Sequence, residues 1–414
     1  MHDLYDVLRA RTDGVKANAI AFAQKLVQAR SLSYQEADVA ALVEREMRNV
    51  GLDHVARDAF GNVVGVVHGR EADPVVLLNC HMDTAHPGDE RAWTTSMTSG
   101  HIDGGRLYGL GAGDCKGGLA ALVYAAALLK RCMLPMRGSL VVAGTVAEED
   151  GGSVGMRHLL GYTLPKLELK PSYALLGEPT GLDLYYGHDG WAEFEIVVEG
   201  DDAAHVENAA WEIFKDFDAF HRCAERPEAP EAARTEPPVF HQDRGNRRAT
   251  IALNRRMATS EEASNVVAQM KHHAARAVQV AGAEEVQVQV AVKEECQRLY
   301  TGRTTVVRRV THAWSTDPFD ALVDKARGAL AGAGLAARPG KWRLGRLGMG
   351  TAGGVLVNEH GIPTLGYGPG NENLIHAPNE YVEVDKIVEA VYGTAAIVHS
   401  LAGVPVFAWT AEEI

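Results

Sequence analysis

Histidine and carboxylate side chains follow one apolar run after another in this chain. Apolar runs rich in β-branched residues are typical of buried strands, and in open α/β sheets ligands bind just beyond the carboxyl ends of the strands. Polar residues at the ends of different strands can therefore lie close together at this edge. The residues in such positions are His81 and Asp83 after PVVLLNC, Asp114 in GLGAGDCKGG, Glu148 and Glu149 after LVVAGTVA, Glu178 after YALLG, and His376 in HAPNE. Their types and order predict one metal-binding cluster.

The charges of these residues favour two metal ions over one. Two divalent cations carry four positive charges, of which Asp114, Glu149 and Glu178 would balance three and a hydroxide ion the fourth. With a single cation, three ligating carboxylates would leave excess negative charge, which a buried site holds only by protonation or pairing. The composition therefore favours two ions about 3.5 Å apart, the usual separation in hydrolytic sites with paired metals.

Five short segments, taken in order, resemble the motifs of one known family. The segments are HMDT, GAGDCKGG, EED, GEPT and HAPNE. They look like those of the M20 metallopeptidase and amidohydrolase family, which includes acetylornithine deacetylase, succinyl-diaminopimelate desuccinylase, carboxypeptidase G and aminoacylase. The resemblance extends roughly from Val75 to the C-terminus, and it implies a metal-dependent hydrolase.

The resemblance also implies how the metal ions are held. His81 and Glu178 would bind one ion, Glu149 and His376 would bind the other, and Asp114 would bridge both. Neutral imidazole and carboxylate oxygen are donors that suit zinc, manganese or cobalt. We therefore expect two divalent ions, with zinc favoured over manganese and cobalt.

The resemblance and the geometry of a strand together predict further features of the site. Asp83 would orient His81, because an acid on the distal nitrogen of a ligating histidine fixes its tautomer. Glu148 would be the general base, which takes a proton from the attacking water and passes it to the leaving nitrogen. Glu148 and Glu149 are adjacent and would point to opposite faces of a strand, so we expect a bend there. The family also has a cis peptide at the position of Asp114–Cys115.

The pattern of apolar residues divides the chain into two structural units. Residues 1–186 and 300–414 alternate strand-like with helical segments, which predicts a mostly parallel, doubly wound α/β sheet that carries the metal site. Residues 187–299 read as an inserted α+β unit with a βαββαβ-like order, resembling the family's lid and dimerisation domain. Within the insert, Ser260 is expected to cap the second helix, and ERPEAPEAARTEPP reads as a surface loop.

The insert contains the residues expected to contact substrate. By position, His205 matches a lid histidine that helps to polarise the scissile carbonyl, often across a dimer. Arg256 in LNRR matches an arginine that holds the substrate carboxylate, a role for which its planar fork is well suited, and Asn254 lies beside it. The chain departs from the family after His205, where the usual loop with proline and glycine is missing, and at Leu110 and Ala352.

Composition excludes several classes of partner. A net charge of −13 argues against nucleic acid or an anionic membrane as the main partner. The five cysteines are widely spaced, and the N-terminus lacks the pattern of a signal peptide, which together indicate a cytoplasmic protein. The longest apolar segment begins at Gly117 and has about 13 residues, too few to span a bilayer. It is expected to form a core helix.

These features favour hydrolysis of a C–N bond. The favoured substrate bond is the amide of an N-acyl amino acid or of a small peptide that carries a carboxylate. The enzyme is expected to be a homodimer.

An N-carbamoyl compound or an aryl amine is an alternative substrate. GGSVG fits a nucleophile elbow at Ser153, so a serine hydrolase with Glu178 and His376 is a second alternative. A non-catalytic metal-bound scaffold is a third, against which the presence of Glu148 argues.

Overall fold

The computed structural model describes residues 4–224, 235–243, 245, 247–259, 261–342 and 350–404. Within these residues, the α-helices are α1 (Leu4–Gln28), α2 (Ala37–Asn49), α3 (Gly117–Arg131), α4 (Val154–His158), α5 (Leu164–Lys166), α6 (Ala203–Ala224), α7 (Ala263–Ala281), α8 (Ala321–Gly332) and α9 (Val384–Ala402). Wider π-type turns lie at Ala112–Lys116, Leu159–Thr163 and Val355–Glu359, and a short 3₁₀ turn lies at Glu90–Ala92.

The strands belong to one large sheet, one medium sheet and several small ribbons. In chain order they are β1 (His54–Arg57), β2 (Val63–Val67), β3 (Val75–His81), β4 (Ile102–Asp103), β5 (Arg106–Tyr108), β6 (Leu140–Thr145), β7 (Pro171–Leu176), β8 (Leu184–Tyr185), β9 (Gly187–His188), β10 (Gly190–Glu199), β11 (Val239–Asp243), β12 (Arg248–Met257), β13 (Gln287–Val292), β14 (Glu294–Arg298), β15 (Thr304–Arg308), β16 (Val310–Thr311), β17 (Trp314–Ser315), β18 (Pro339–Gly340), β19 (Thr364–Gly366) and β20 (Tyr381–Glu383).

The large sheet has eight strands in the order β1-β2-β6-β3-β7-β19-β8-β18. Its centre, β6-β3-β7-β19, is parallel, whereas β1, β2 and β8 add antiparallel pairings toward the edges. A parallel centre places the carboxyl ends of β3, β6 and β7 side by side. The predicted mostly parallel α/β sheet is confirmed.

Both faces of this sheet are covered, as doubly wound folds require. Successive residues of a strand point to opposite faces, so β3 contributes to two cores. Val76, Leu78 and Cys80 pack in the core that contains α1, α3 and α9, whereas Val75 and Leu77 pack in the core on the other face. All seven residues of β3 are buried, which explains why the strand reads as a continuous apolar run.

The insert forms a second, antiparallel sheet with its own hydrophobic core. Its elements follow the order β10-α6-β11-β12-α7-β13, and the strands lie side by side as β11-β12-β10-β13. One face of β10, with Ala192, Phe194, Ile196 and Val198, packs against α6 and α7. The predicted α+β insert is confirmed. Its boundaries at 187 and 299 stay a prediction, and β16 returns after residue 299 to pair with β10.

Two details of the insert differ from expectation or lie outside the described residues. Helix α7 begins at Ala263, and its N-cap is Glu262, whose side chain makes no capping hydrogen bond among the described residues. Ser260, the predicted cap, lies outside the described residues, as does most of the predicted surface loop, residues 225–234.

The apolar segment from Gly117 forms the core helix α3, as predicted. Together with the preceding π-type turn, in which Asp114 and Cys115 depart from helical backbone angles, it covers 20 residues, Ala112–Arg131, which are long and apolar enough to cross a membrane by length and composition alone. Its apolar window is entirely buried inside the protein. Burial between the sheet and α1 and α9, rather than length, is therefore what identifies it as a core helix.

Gly118 provides a test of how closely α3 must approach the sheet. A methyl group at this position would lie 1.8 Å from the carbonyl oxygen of Gly177, which directly precedes Glu178. We expect Gly118→Ala to lower the free energy of unfolding by about 1–3 kcal/mol, the usual cost of overpacking, as measured by urea denaturation.

Gly328 is the matched control, because it is exposed in α8 and a methyl group there meets nothing within 4 Å. Gly328→Ala should raise the free energy of unfolding by about 0.5–1 kcal/mol, since alanine favours the helix. Equal effects of the two substitutions would show that the close contact at Gly118 does not constrain the fold.

Candidate metal centre

Adjacent strand ends bring the predicted cluster together. His81 is the last residue of β3, Glu148 and Glu149 follow β6, and Glu178 comes two residues after β7. Asp114 lies in the π-type turn that precedes α3, and the loop after β19 supplies His376. Residues from five separate segments therefore meet at the carboxyl edge of the parallel strands, where the sequence pattern predicted a site.

The side chains form two ligand groups that share Asp114. The first contains His81, Asp114 and Glu178, with His81 Nε2 lying 3.0 Å from Asp114 Oδ1 and 3.8 Å from Glu178 Oε2. The second contains Asp114, Glu149 and His376, with His376 Nε2 lying 2.9 Å from Glu149 Oε2 and 3.6 Å from Asp114 Oδ2. The two oxygens of Asp114 thus face different imidazoles, as a bridging carboxylate requires.

The electrostatics of both groups fit bound cations. Burial alone would lower the pKa of His81, but Glu178, Asp114 and Asp83 raise it well above its ordinary value. Burial would also lower the pKa of His376, yet Glu149 and Asp114 raise it to about 9. Burial raises the pKa of Glu178 to about 8, and its Oε1 is buried without a hydrogen-bond partner among the described residues. The residues present therefore fit divalent metal ions, which would satisfy this excess of carboxylate.

Asp83 contacts both the first ligand group and the loop that carries the adjacent glutamates. His81 Nδ1–H donates to the main-chain carbonyl of Asp83 at 2.9 Å, and the Asp83 carboxylate lies 3.5 Å from the same nitrogen. This carboxylate accepts the backbone N–H groups of Glu148 and Glu149 at 3.0 and 3.1 Å, and the hydroxyl of Ser33 at 2.8 Å. Asp83 therefore lies where it can orient His81 and hold the glutamate loop at once.

The expected bend is present between β6 and the glutamate pair. Strand β6 ends at Thr145, and Ala147 has a φ of 51°, in the left-handed region. This turn lets both glutamates face the same cavity, which Glu148 and Glu149 line together with Asp114, Glu178 and His376. Glu148 is buried, which raises its pKa well above the ordinary value, and it belongs to neither ligand group.

Glu380 is a site residue that sequence reasoning missed. Its carboxylate accepts the backbone N–H groups of Gly111, Gly113 and Asp114 at 2.8–3.0 Å, so it holds the turn that presents Asp114. Glu380 is the last residue of HAPNE, and its presence in that motif was the available signal. The turn also contains the cis peptide Asp114–Cys115 that the family resemblance implied.

Cys115 is a buried thiol beside the first ligand group. Its Sγ lies within ligand range of His81, Asp114 and Glu178, and it donates a weak hydrogen bond to the carbonyl of Gly177 at 3.5 Å. Burial raises the pKa of the thiol well above its ordinary value. A thiol that donates to a backbone carbonyl is protonated, which favours a small packing residue over a ligand or nucleophile.

The three predicted lid residues are not among the described residues that line the cavity. His205, on α6, pairs with Glu285, and it is not among the described residues that line the cavity. Asn254 donates its amide to Glu236 at 2.7 Å and lines a separate groove of the insert. Arg256 is buried in β12 opposite Trp191 of β10, whose ring reaches Gly151 at the cavity wall. Arg256 is therefore paired in the sheet with a residue whose ring contacts the cavity wall.

The serine hydrolase alternative does not match this geometry. Ser153 precedes α4 and is buried, with a φ of 42°. Its proposed partners are divided between different ligand groups, since Glu178 lies with His81 and Asp114, whereas His376 faces Glu149. An acid–base–nucleophile chain through Glu178 and His376 is therefore not assembled.

Neutral side chains form the remaining walls of the cavity. They are Gly151, Pro179, Thr311, Trp342, Gly350, Thr351 and Ile375.

Buried His188 supports this wall from behind. Its Nδ1–H donates to the carbonyl of Asp189 at 2.7 Å, its Nε2 accepts the backbone N–H of Thr351 at 2.9 Å, and its ring packs edge-on against Trp342. These bonds fix His188 as the neutral tautomer, and burial lowers its pKa to about 4.

Comparison with known proteins identifies the family of the chain and agrees with the fold. The model of peptidase family M20/M25/M40 matches residues 77–400, so the chain belongs to this family of metal-dependent hydrolases. The uncharacterized protein YgeY of Escherichia coli K12 is 26% identical over an alignment of 411 residues that covers 95% of this chain and 96% of that protein. The resemblance to the M20 family that the five motifs indicated is confirmed.

Two further relatives show how far the similarity extends. The succinyl-diaminopimelate desuccinylase of Methylorubrum extorquens is 32% identical over an alignment of 171 residues that covers 40% of this chain and 44% of that protein. The YXEP protein of Bacillus subtilis, described as a dinuclear metal-binding peptidase of the M20 family, superposes with a TM-score of 0.66 at 15% identity and covers 93% of this chain and 98% of that one. The second likeness shows a shared fold.

His188 predicts a pH dependence of stability. Because its folded-state pKa of about 4 lies below the ordinary 6.5, its contribution is complete above about pH 6.5 and is lost as the pH falls toward 4. In His188→Gln the amide oxygen can still accept the Thr351 N–H but does not titrate. Between pH 6.5 and 5, the metal-free wild type should lose about 1.5 kcal/mol of unfolding free energy relative to this variant, measured in urea. Parallel pH profiles for the two proteins would contradict the assignment.

Proposed function

We propose that this enzyme hydrolyses the amide bond of an N-acyl amino acid or a small peptide. The observation that carries the proposal is the pair of ligand groups sharing Asp114, beside a buried glutamate, Glu148, that belongs to neither group. Two divalent cations bound there would polarise the substrate carbonyl and lower the pKa of a water molecule. The chain's own residues then position the reactants and move the proton.

Five side chains are proposed to hold the cations. His81 and Glu178 would hold one, Glu149 and His376 would hold the other, and Asp114 would be shared by both. The support for this assignment is the division of contacts, because each imidazole faces a different oxygen of Asp114. Three carboxylates and two imidazoles suit zinc, manganese or cobalt, and we favour zinc.

Glu148 is proposed to be the general base and then the general acid. It lines the same cavity as the ligands and is delivered by the same loop as Glu149, so its carboxylate can reach a water molecule beside them. It would take the proton of the attacking water and return it to the leaving nitrogen, because one group near both atoms can serve in both directions. Asp83, which accepts the backbone N–H of Glu148, would hold it in place.

Substrate recognition is proposed to involve the lid. Arg256 is the candidate for binding a substrate carboxylate, supported by its position opposite Trp191 at the cavity side of the insert. Asn254 is a weaker candidate, because its amide already binds Glu236. His205 is proposed to polarise the carbonyl. Since its present partner is Glu285, it would act from a second subunit or after lid movement. We further propose a cytoplasmic homodimer that associates through the lid.

The roles of Glu148 and Glu149 can be separated by paired substitutions. Glu148→Gln should keep its metal content and lose turnover by about 100-fold or more, the usual scale of proton-transfer catalysis. Glu149→Gln should instead lower metal content, because it removes a ligand. Both are checked by metal analysis and by turnover of N-acyl amino acids, dipeptides, N-carbamoyl compounds and aryl amines with zinc, manganese or cobalt.

Full turnover by Glu148→Gln on any substrate that the wild type hydrolyses would exclude Glu148 as the base. Activity that survives complete removal of metal, together with labelling of Ser153 by a fluorophosphonate, would instead support the serine hydrolase. Release of products from N-carbamoyl compounds or aryl amines alone would move the substrate to the non-peptide class.

A further inference from the structure

We propose that Glu36 is a positioning residue that fixes the glutamate loop 147–149 in its working conformation. Glu36 is fully buried at the start of α2, and its Oε1 accepts the backbone N–H of Ala147 at 3.0 Å. The same oxygen accepts the backbone N–H of Tyr34 at 3.0 Å. The importance of this loop rests on the proposed function of Glu148, whereas the contact itself does not.

The geometry of Ala147 explains why the loop needs support. Ala147 directly precedes Glu148 and Glu149, and its φ of 51° lies in a region that residues with a Cβ seldom adopt. Such conformations persist where the surroundings enforce them. Without this turn the chain would continue as a strand, and the two adjacent glutamates would point to opposite faces.

Two buried carboxylates together bind three consecutive amides of this loop. Glu36 accepts the N–H of Ala147, and Asp83 accepts those of Glu148 and Glu149. Glu36 comes from the start of α2 and Asp83 from the end of β3, so two different parts of the fold hold the loop. Because all three amides are hydrogen-bonded, the backbone conformation of the loop is fixed. The fixed backbone in turn sets the directions in which the Glu148 and Glu149 side chains point.

Helix capping does not account for Glu36. It occupies the N-cap of α2, where serine, threonine, aspartate and asparagine are the usual residues because their side chains bind the first amides of the helix. The Glu36 side chain makes no capping hydrogen bond among the described residues, and its contact with Ala147 spans 111 positions in sequence. Burying a carboxyl group costs free energy unless it is hydrogen-bonded. The described hydrogen bonds of the Glu36 side chain are with the backbone of Tyr34 and of the glutamate loop.

The chemistry of Glu36 also indicates which residue should be able to take over its contact with Ala147. Burial, followed by the nearby Asp83, raises the pKa of Glu36 to about 8. A glutamic acid held near neutral pH in its protonated form resembles glutamine in shape, and both offer one oxygen as an acceptor. Glu36→Gln should therefore preserve the contact with Ala147, whereas Glu36→Leu should remove it.

The experiment compares Glu36→Leu and Glu36→Gln with a matched control, Asp320→Leu. Asp320 also accepts a backbone amide, that of Leu322, but it does so at the start of α8. Hydrogen exchange of the amides of residues 146–150 is measured in the metal-free proteins, and metal content, kcat and KM are measured in the metal-loaded enzymes. Exchange reports on the loop whether or not the enzyme is active.

In Glu36→Leu we expect the Ala147 amide to exchange at least about 10-fold faster, because it loses its acceptor. We expect kcat to fall by about 10- to 100-fold, with KM changed by less than about 3-fold, as is usual when a residue that orients the active site is removed. Glu36→Gln should match the wild type in both measurements. Asp320→Leu should lower thermal stability and leave both unchanged.

Wild-type exchange and kcat in Glu36→Leu would overturn the proposal. Equal defects in Glu36→Gln and Glu36→Leu would also overturn it, because the acceptor would then not be what matters. If Glu36→Leu does not fold, Glu36→Met, which keeps the length of the side chain, takes its place. Full turnover by Glu148→Gln would refute the proposed function instead, and the exchange result would still decide the role of Glu36.

Discussion

The concentration of buried carboxylates at one edge of the sheet is the constraint on which the rest of the structure depends. Asp83, Asp114, Glu148 and Glu178 are all buried there, and the side chain of Glu149 is 6% exposed. Removing each charge from water costs several kcal/mol, roughly, unless a countercharge or hydrogen bonds compensate. Two histidines cannot balance so much negative charge, whereas two divalent cations can. The arrangement of these carboxylates and histidines therefore suits the binding of metal ions better than the formation of ion pairs among themselves.

Backbone amides supply the rest of the compensation and also determine the geometry. Glu380 binds three amides of the turn that presents Asp114, and Asp83 and Glu36 bind three amides of the loop that presents Glu148 and Glu149. Each of these carboxylates comes from a part of the chain distant from the loop that it binds. The ligand-bearing loops therefore depend on the whole α/β unit being folded, which gives a site rigid enough to preorganise a hydrolytic reaction.

Much of this arrangement could be predicted from sequence because it follows from local patterns. Apolar runs marked the central strands, and the residue types after them marked the site, so His81, Asp114 and His376 were predicted to converge and do so. The roles of Glu36 and Glu380 could not be predicted in this way. The motif HAPNE marked Glu380 as a candidate, but the contacts of Glu36 and Glu380 span 111 and 266 positions, and local sequence does not indicate which distant amides a glutamate binds.

The insert shows a second limit of prediction from sequence. Its βαββαβ order follows from hydrophobic periodicity, which is local. The role proposed for His205 requires the lid to move or to associate with a second subunit, and the sequence of one chain does not specify the surfaces that such a step would use. Departures from the family pattern after His205 add to this, because a different loop changes what the lid can reach.

Anomalous X-ray diffraction from crystals grown with zinc or manganese tests the central claim most directly. We predict two anomalous peaks about 3.5 Å apart, each within about 2.0–2.2 Å of a different oxygen of Asp114. A single peak, or two peaks that do not share Asp114, would contradict the account.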